Sequence, residues 1–237
     1  MPTLQTRMHP GVMPIDTKIR ARYQRGPHLM AGDLDGACGP LSLWTTLVVL
    51  KIATRPQVIC QKFQFVNDKF EEAWKRCLGL WFEGTDDQEM DSLLDTVSPF
   101  VDRADCNGSM RKQVDFVIKH LRQNEVALLG LSRRDERDGH WTCAVGLEEI
   151  VTEKDRQVVG ILCLDSSQPA PEMLRYNARL ELHVPNRGAT YVRYRGLAGD
   201  ARTMTIDRSI AVWPRPLPKH VRQAASQREE VRASRQL

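Results

Sequence analysis

The chain has 237 residues, enough for one domain with a sizeable core. Hydrophobic residues make up 41% and charged residues 27%, which excludes collagenous, low-complexity and wholly disordered chains. The formal net charge is +4, and the excess sits in the last stretch, where Arg215, Lys219, Arg222, Arg228, Arg232 and Arg235 face only Glu229 and Glu230.

Residues 1–26, polar and rich in Pro, Arg and Gln, read as a flexible N-terminal arm lacking the apolar stretch of a secretory signal. Residues 27–213 read as the folded domain and 214–237 as a basic C-terminal tail. The tail and a second basic cluster, Lys18, Arg20, Arg22 and Arg25, are read as solvated charge and not as a nucleic-acid surface. The most apolar segment, 41–52, is interrupted by polar residues and falls short of the ~18 continuous apolar residues of a spanning helix. No membrane span is expected.

The opening structural signal is a turn-rich segment, Gly32 to Pro40, running into 41–53, where Leu41, Trp44, Leu47 and Val48 recur at helical spacing and Leu43, Leu50 and Ile52 widen the stripe. A helix apolar on most sides belongs in the core. Three more helices are predicted over 57–77, over 86–97 after a Thr85 cap, and over 109–123 with Ser109 as cap. From Val126 the texture changes to short segments rich in β-branched and aromatic residues, at 126–131, 141–151, 158–164, 178–184, 190–194 and 209–213. Helices first and strands second is an α+β order, without the alternation of a parallel βαβ sheet.

Cysteines at 38, 60, 77, 106, 143 and 163 are widely spaced, with none of the close pairs of a ribbon-type zinc site or a disulfide framework. We therefore expect no metal and no cofactor, and a reducing, cytoplasmic compartment. Cys38 stands apart: it lies in a glycine-flanked turn at the start of the most apolar helix, with Pro40 suited to the first turn. Unpaired amides and the positive dipole end favour a thiolate there. Cys60, Cys77, Cys143 and Cys163 fall inside apolar segments and read as inert filling.

His140 closes the charged loop 135–139 and begins a strand. Cys143, three residues along the strand, points to the opposite face, which argues against a shared metal. The next strand runs into Asp165. If the two strands form an antiparallel hairpin about the polar 152–156 turn, the end of the second returns beside the start of the first, and Asp165 reaches His140. A carboxylate there accepts one ring N–H, fixes the tautomer and leaves the other nitrogen for a thiol.

The strings Asp35-Gly36-Ala37-Cys38-Gly39-Pro40, Gly139-His140-Trp141 and Cys163-Leu164-Asp165-Ser166, in this order, resemble the papain-like cysteine peptidases. Their style is most similar to the double-glycine leader peptidases of bacteriocin exporters and their free-standing bacterial relatives. The resemblance covers residues 32–167 and implies a papain-like α+β fold, with an N-terminal helical half packed on a C-terminal antiparallel sheet. It also implies a Cys38-His140-Asp165 triad acting on a peptide or protein substrate. That family places a glutamine six residues before the nucleophile to donate to the oxyanion, but position 32 here is glycine. The nearby polar residues are Asp33 and Asp35, either of which would have to be protonated or act through another contact; Asp33 becomes the candidate for that place, beside the backbone N–H of Cys38. The expected function is hydrolysis of a peptide or isopeptide bond. The alternatives are acyl transfer or amidase chemistry on the same groups, or a non-catalytic peptide-binding module.

Overall fold

A computed structural model describes residues 2–12, 26–31, 36–60, 68–133, 139–171, 174–182 and 191–216. Among these the chain order is β1 (Thr3–Met8), α1 (Cys38–Val49), α2 (Arg55–Cys60), α3 (Asp68–Glu83), α4 (Asp87–Val97), β2 (Val101–Cys106), α5 (Met110–Arg122), β3 (Val126–Arg133), β4 (Gly139–Val151), β5 (Arg156–Leu164), β6 (Ala178–Glu181), β7 (Val192–Gly196) and β8 (Ala201–Pro214). Among the described residues no helix is long and apolar enough to cross a membrane.

The papain-like α+β arrangement implied by the sequence resemblance is not what this chain builds. Six antiparallel strands close on themselves in the order β4, β3, β8, β7, β6, β5 and back to β4, with β1 added to β4 and β2 added to β8. The result is a β-rich barrel with five accompanying helices. Closure depends on two long strands that change partner along their length. β4 pairs with β3 over Gly139–Ala144 and with β1 over Gly146–Val151, while its other edge carries β5. β8 lies along β3 and turns its opposite edge first to β7 and then to β2. Register shifts at Gly130/Leu131, Ala144/Gly146 and Glu148/Glu149 supply the bends that let a twisted sheet curl.

Two hydrophobic clusters lie on the two faces of these strands. Along β3, Ala127, Leu129 and Leu131 join Leu147, Ile161, Leu180, Met204 and Ile206 in one cluster, into which α5 packs Val117 and Leu121. The alternate residues Val126 and Leu128, with Trp141, Cys143 and Val145 of β4, meet α1, α3 and α4 in the other. A strand covered on both faces reads as a continuous apolar run, which is why 126–131 lacks polar alternation.

Helix α1 buries ten of its twelve residues and has no charged residue in either end turn. Leu43, Trp44, Leu47 and Val49 are wholly enclosed, each worth ~1.5–3 kcal/mol of burial. The single helix expected over 57–77 is replaced by α2 and α3, with residues 61–67 outside the described set. Asp86, not Thr85, caps α4: its carboxylate accepts the Glu89 N–H at 2.8 Å and its own N–H donates to Glu89 at 2.7 Å. Ser109 precedes α5 but makes no side-chain cap bond. The segment read as an N-terminal arm contains β1, and the strand expected at 209–213 extends back to Ala201. Lys18, Arg20, Arg22, Arg25 and residues 217–237 lie outside the described residues; Arg215 pairs with Asp102 at 2.7 Å.

Candidate active site

Three elements meet where β4 begins and β5 ends, at one end of the barrel. Cys38 is the first residue of α1, preceded by Ala37 at the N-cap, which makes no side-chain cap bond. The helix-start amides are therefore left without the usual partner. Pro40 has no N–H and Leu41 donates to the Ala37 carbonyl at 3.0 Å, so the Cys38 and Gly39 amides precede the first intrahelical bond of α1.

The helix is held against β4 by a polar stripe at four-residue spacing. The Trp141 N–H points at Cys38 Sγ (3.5 Å), the Ser42 hydroxyl donates to the Trp141 carbonyl (3.0 Å), and the Thr46 hydroxyl lies 3.3 Å from Cys143 Sγ. Residues 38, 42 and 46 share one face of a helix, and that face sets the thiol's height along the strand.

The two glycines flanking the cysteine are close approaches. A β-carbon on Gly36 would lie 2.5 Å from the Gly84 nitrogen, and one on Gly39 would lie 2.4 Å from the Thr85 side chain. The 84–86 connection thus presses on the turn that carries Cys38, and the Trp141 indole N–H donates to the Thr85 carbonyl at 2.8 Å. Trp141 is 4% exposed: it packs in the α1-side cluster and ties β4 to that connection.

The His140 side chain is 22% exposed, and its Nε2 lies 2.8 Å from Asp165 Oδ2. The Cys38 thiol lies close enough to the same ring to share its electrostatics, and with Nε2 engaged by the carboxylate Nδ1 is the ring's other nitrogen. The hairpin register, Val151 opposite Arg156 and Cys143 opposite Leu164, leaves Asp165 immediately beyond the paired end of β5. A sulfur, an imidazole and a carboxylate from three separated stretches are brought to one place, the last two joined by a hydrogen bond.

Asp165 is completely buried, which would be costly for an ionised carboxylate without compensation. Four donors supply it. Oδ1 accepts from the Ser167 N–H (2.9 Å) and hydroxyl (2.7 Å), and Oδ2 accepts from His140 and from the Tyr194 hydroxyl (2.8 Å each). Its backbone is held as firmly: the Asn177 side-chain amide takes the Asp165 N–H at 2.7 Å and donates to the Asp165 carbonyl at 2.8 Å. His28 Nε2 reaches the same carbonyl at 2.8 Å, and the Ala31 N–H donates to the Ser166 carbonyl at 2.9 Å.

The protonation states follow from these contacts. Burial alone would raise the Asp165 carboxyl, but the positive His140 ring, its hydrogen bond and the Ser167 donors hold it well below the usual carboxylate range. Burial alone would lower His140, but the Asp165 charge and hydrogen bond, with the contact to Cys38, raise it. For Cys38 burial opposes ionisation, and the His140 hydrogen bond and charge together with the Trp141 N–H bring the thiol below its ordinary value. Burial drives the other enclosed cysteines the opposite way, Cys77 and Cys143 up to about 12 and Cys163 well above the ordinary thiol value. Cys60, expected to be inert filling, is exposed on α2.

Asp33, the expected oxyanion donor, lies outside the described residues. Among the described residues no group of three His, Cys, Asp or Glu side chains is arranged to hold a metal ion. Sequence reasoning missed Tyr194, Ser167 and Asn177. The Asp-x-Ser spacing of 165 and 167 is a local turn signal that could have found Ser167. Tyr194 and Asn177 come from non-adjacent stretches with no such mark. No family model matches the chain, and no curated protein matches it.

Proposed function

We propose that the protein is a cysteine peptidase that hydrolyses a peptide or isopeptide amide through an acyl-enzyme on Cys38. The observation that carries this reading is the His140 ring held by a buried, four-donor Asp165, with Cys38 Sγ 3.5 Å from the N–H of the next residue, Trp141, and electrostatically coupled to the ring. A carboxylate so fully compensated stays ionised. It holds the imidazole in the tautomer with hydrogen on Nε2, which leaves Nδ1 to take the thiol proton.

In the proposed cycle the thiol proton rests on the His140 ring, as the raised imidazole and the lowered thiol favour, and the thiolate attacks the amide carbonyl carbon. The oxyanion gathers at the mouth of α1, where the Cys38 and Gly39 amides and the helix dipole favour negative charge. The C–N bond breaks as the imidazolium gives its proton to the leaving amine. A thioester remains on Cys38. Water then loses a proton to His140 while attacking the thioester, and its collapse returns the proton to sulfur and frees the carboxylic acid. The three sequence strings shared in style with papain-like peptidases support a peptide substrate; the support lies in the site residues and not in the surrounding fold.

The test compares new N-termini produced from a proteome-derived peptide mixture by the wild-type chain and by Cys38→Ala. Cleavages present only with the wild type are expected. Identical peptide profiles for the two proteins would overturn the peptidase reading and leave the cleft as a peptide-binding surface.

A further inference from the structure

Asp165 stands one residue past the end of β5, where the sheet stops supplying partners to its main chain. The last pair toward β4 is Cys143 with Leu164, and the last toward β6 is Cys163 with Ala178. A buried strand end of this kind leaves an N–H and a C=O that are costly to leave unpaired. For Asp165 a side chain meets both: that of Asn177, the residue just before β6. Its Oδ1 accepts the Asp165 N–H at 2.7 Å and its Nδ2 donates to the Asp165 carbonyl at 2.8 Å. The orientation of this amide is fixed by chemistry. An N–H can only donate, so the oxygen faces Asp165 N, and the NH2 end meets the carbonyls of Asp165, Pro169 (3.0 Å) and Gln168 (3.3 Å).

Asn177 is 2% exposed and its own peptide groups are anchored. Its N–H donates to the Cys163 carbonyl at 3.1 Å, and its carbonyl accepts the Leu197 N–H at 2.8 Å. The other contacts of the Asp165 main chain, His28 Nε2 at 2.8 Å and the Gln168 N–H at 3.2 Å, reach the carbonyl oxygen and not the N–H. The Ser167 bonds to Oδ1 and the Gln168 bond belong to the same short turn as Asp165, so they travel with it. Tyr194 steadies Oδ2 but leaves the backbone untouched. Asn177 is the group that ties both main-chain polar atoms of Asp165 to the sheet.

We propose that Asn177 is a positioning residue of the site, an inference that rests on the reading of Cys38, His140 and Asp165 as one reacting group. It acts through the Asp165 main chain: the amide takes the place of the missing strand partner, fixes the peptide planes on either side of Asp165, and so sets the direction from which Oδ2 meets His140 Nε2. Without it a buried N–H loses its partner and the turn relaxes by rotating those peptides, which carries the carboxylate out of line with the imidazole. The positive ring is then less favoured, and with it the thiolate.

The test reads iodoacetamide alkylation of Cys38 against pH in the full chain. Replacing Asn177 by a neutral residue changes no charge around Asp165, so a shifted midpoint reports geometry. In Asn177→Ala the Cys38 midpoint should rise by about half to one pH unit, with a fall of about three- to tenfold in rate near neutral pH. For a peptide cleaved by the wild type, kcat should fall while KM holds. Leu121→Ala is the control for lost stability. Leu121 packs in the α5 cluster beside Arg122, whose partner Glu149 lies toward the other end of β4 from His140. It should lower the urea midpoint and leave the Cys38 profile in place. If Asn177→Ala does not fold, Asn177→Ser is read in the same way. A wild-type Cys38 midpoint in the folded Asn177 variant, or an equal rise in Leu121→Ala, overturns the inference while the site reading stands on the depressed wild-type thiol. An ordinary thiol midpoint in the wild type removes the site reading itself, and the inference with it.

Discussion

Tyr194 and His140 donate to the same oxygen of the same carboxylate: Asp165 Oδ2 lies 2.8 Å from the tyrosine hydroxyl and 2.8 Å from His140 Nε2. The tyrosine is 4% exposed, and burial beside an anion raises its own ionisation far above the ordinary range, so it acts as a permanent neutral donor. Tyr194→Phe keeps the ring and removes the hydrogen bond. We expect a loss of about 1–2 kcal/mol in stability, read by urea unfolding. Because the lost bond favoured the charged carboxylate, the Asp165 pKa rises, and acid inactivation should begin at a higher pH than in the wild type.

On the proposed peptidase reading, Asp165→Asn should leave the fold standing and remove the proposed activity. Two donors, the His140 N–H and the Tyr194 O–H, converge on Oδ2, while Ser167 donates twice to Oδ1. An asparagine with its oxygen toward Ser167 presents an NH2 to His140, which then carries its hydrogen on Nδ1 and cannot accept the thiol proton. Replacing an orienting carboxylate in this way typically costs roughly 10⁴ in kcat. Turnover of a cleaved peptide measures the loss, and the far-ultraviolet circular dichroism spectrum should be unchanged.

The ion pair between His140 and Asp165 should also govern stability against pH. Asp165 is depressed in the folded state, so its contribution is present above the unfolded carboxyl value of ~3.9 and is lost as pH falls through the folded value. His140 is raised, so its contribution is complete below the unfolded imidazole value of ~6.5 and is lost as pH rises through the folded value. The pair therefore stabilises most between about pH 4 and 6.5. His140→Ala should flatten the stability profile on its alkaline side, and urea midpoints from pH 3 to 9 test this.

Cys38 should alkylate at a pH where an ordinary thiol is slow, because its pKa is depressed. Free N-acetylcysteine provides the reference. Iodoacetamide rates of the Cys38 peptide, followed by mass spectrometry, should place its midpoint below the ordinary thiol value of ~8.5. In His140→Ala, which removes the hydrogen bond and charge that oppose burial, the Cys38 midpoint should move above its wild-type position. A Cys38 profile that overlays the free thiol in the wild type would contradict the assigned electrostatics.

Gly39→Ala tests the packing behind the nucleophile. Its β-carbon would stand 2.4 Å from the Thr85 side chain, a clash that must displace α1 or the 84–86 connection. Overpacking of this kind costs ~1–3 kcal/mol, and the Cys38 alkylation rate should fall together with the thermal midpoint.

Local chemistry made part of the site readable from the linear chain. Gly36, Gly39 and Pro40 marked Cys38 as the head of an apolar helix, and the 152–156 turn placed the start of β4 near the end of β5, which was enough to associate His140 with Asp165. The register is set at the turn, where Val151 faces Arg156; the bulges at Glu148/Glu149 and Ala144/Gly146 offset one another, and Cys143 faces Leu164 with Asp165 just beyond.

What the amino-acid order determined by itself was therefore local: helix and strand segments, the setting of the thiol and the two ends of one hairpin, all set by side-chain periodicity and turn chemistry over short separations. Only the tertiary structure decided the barrel, because closure requires β8 to exchange β7 for β2 along one edge while keeping β3 on the other. It likewise decided the shell of Asp165, where Tyr194, Asn177 and His28 arrive from remote stretches. Hydrogen bonds between distant residues leave no periodic trace in a chain; they exist only once hydrophobic burial has folded the strands into place.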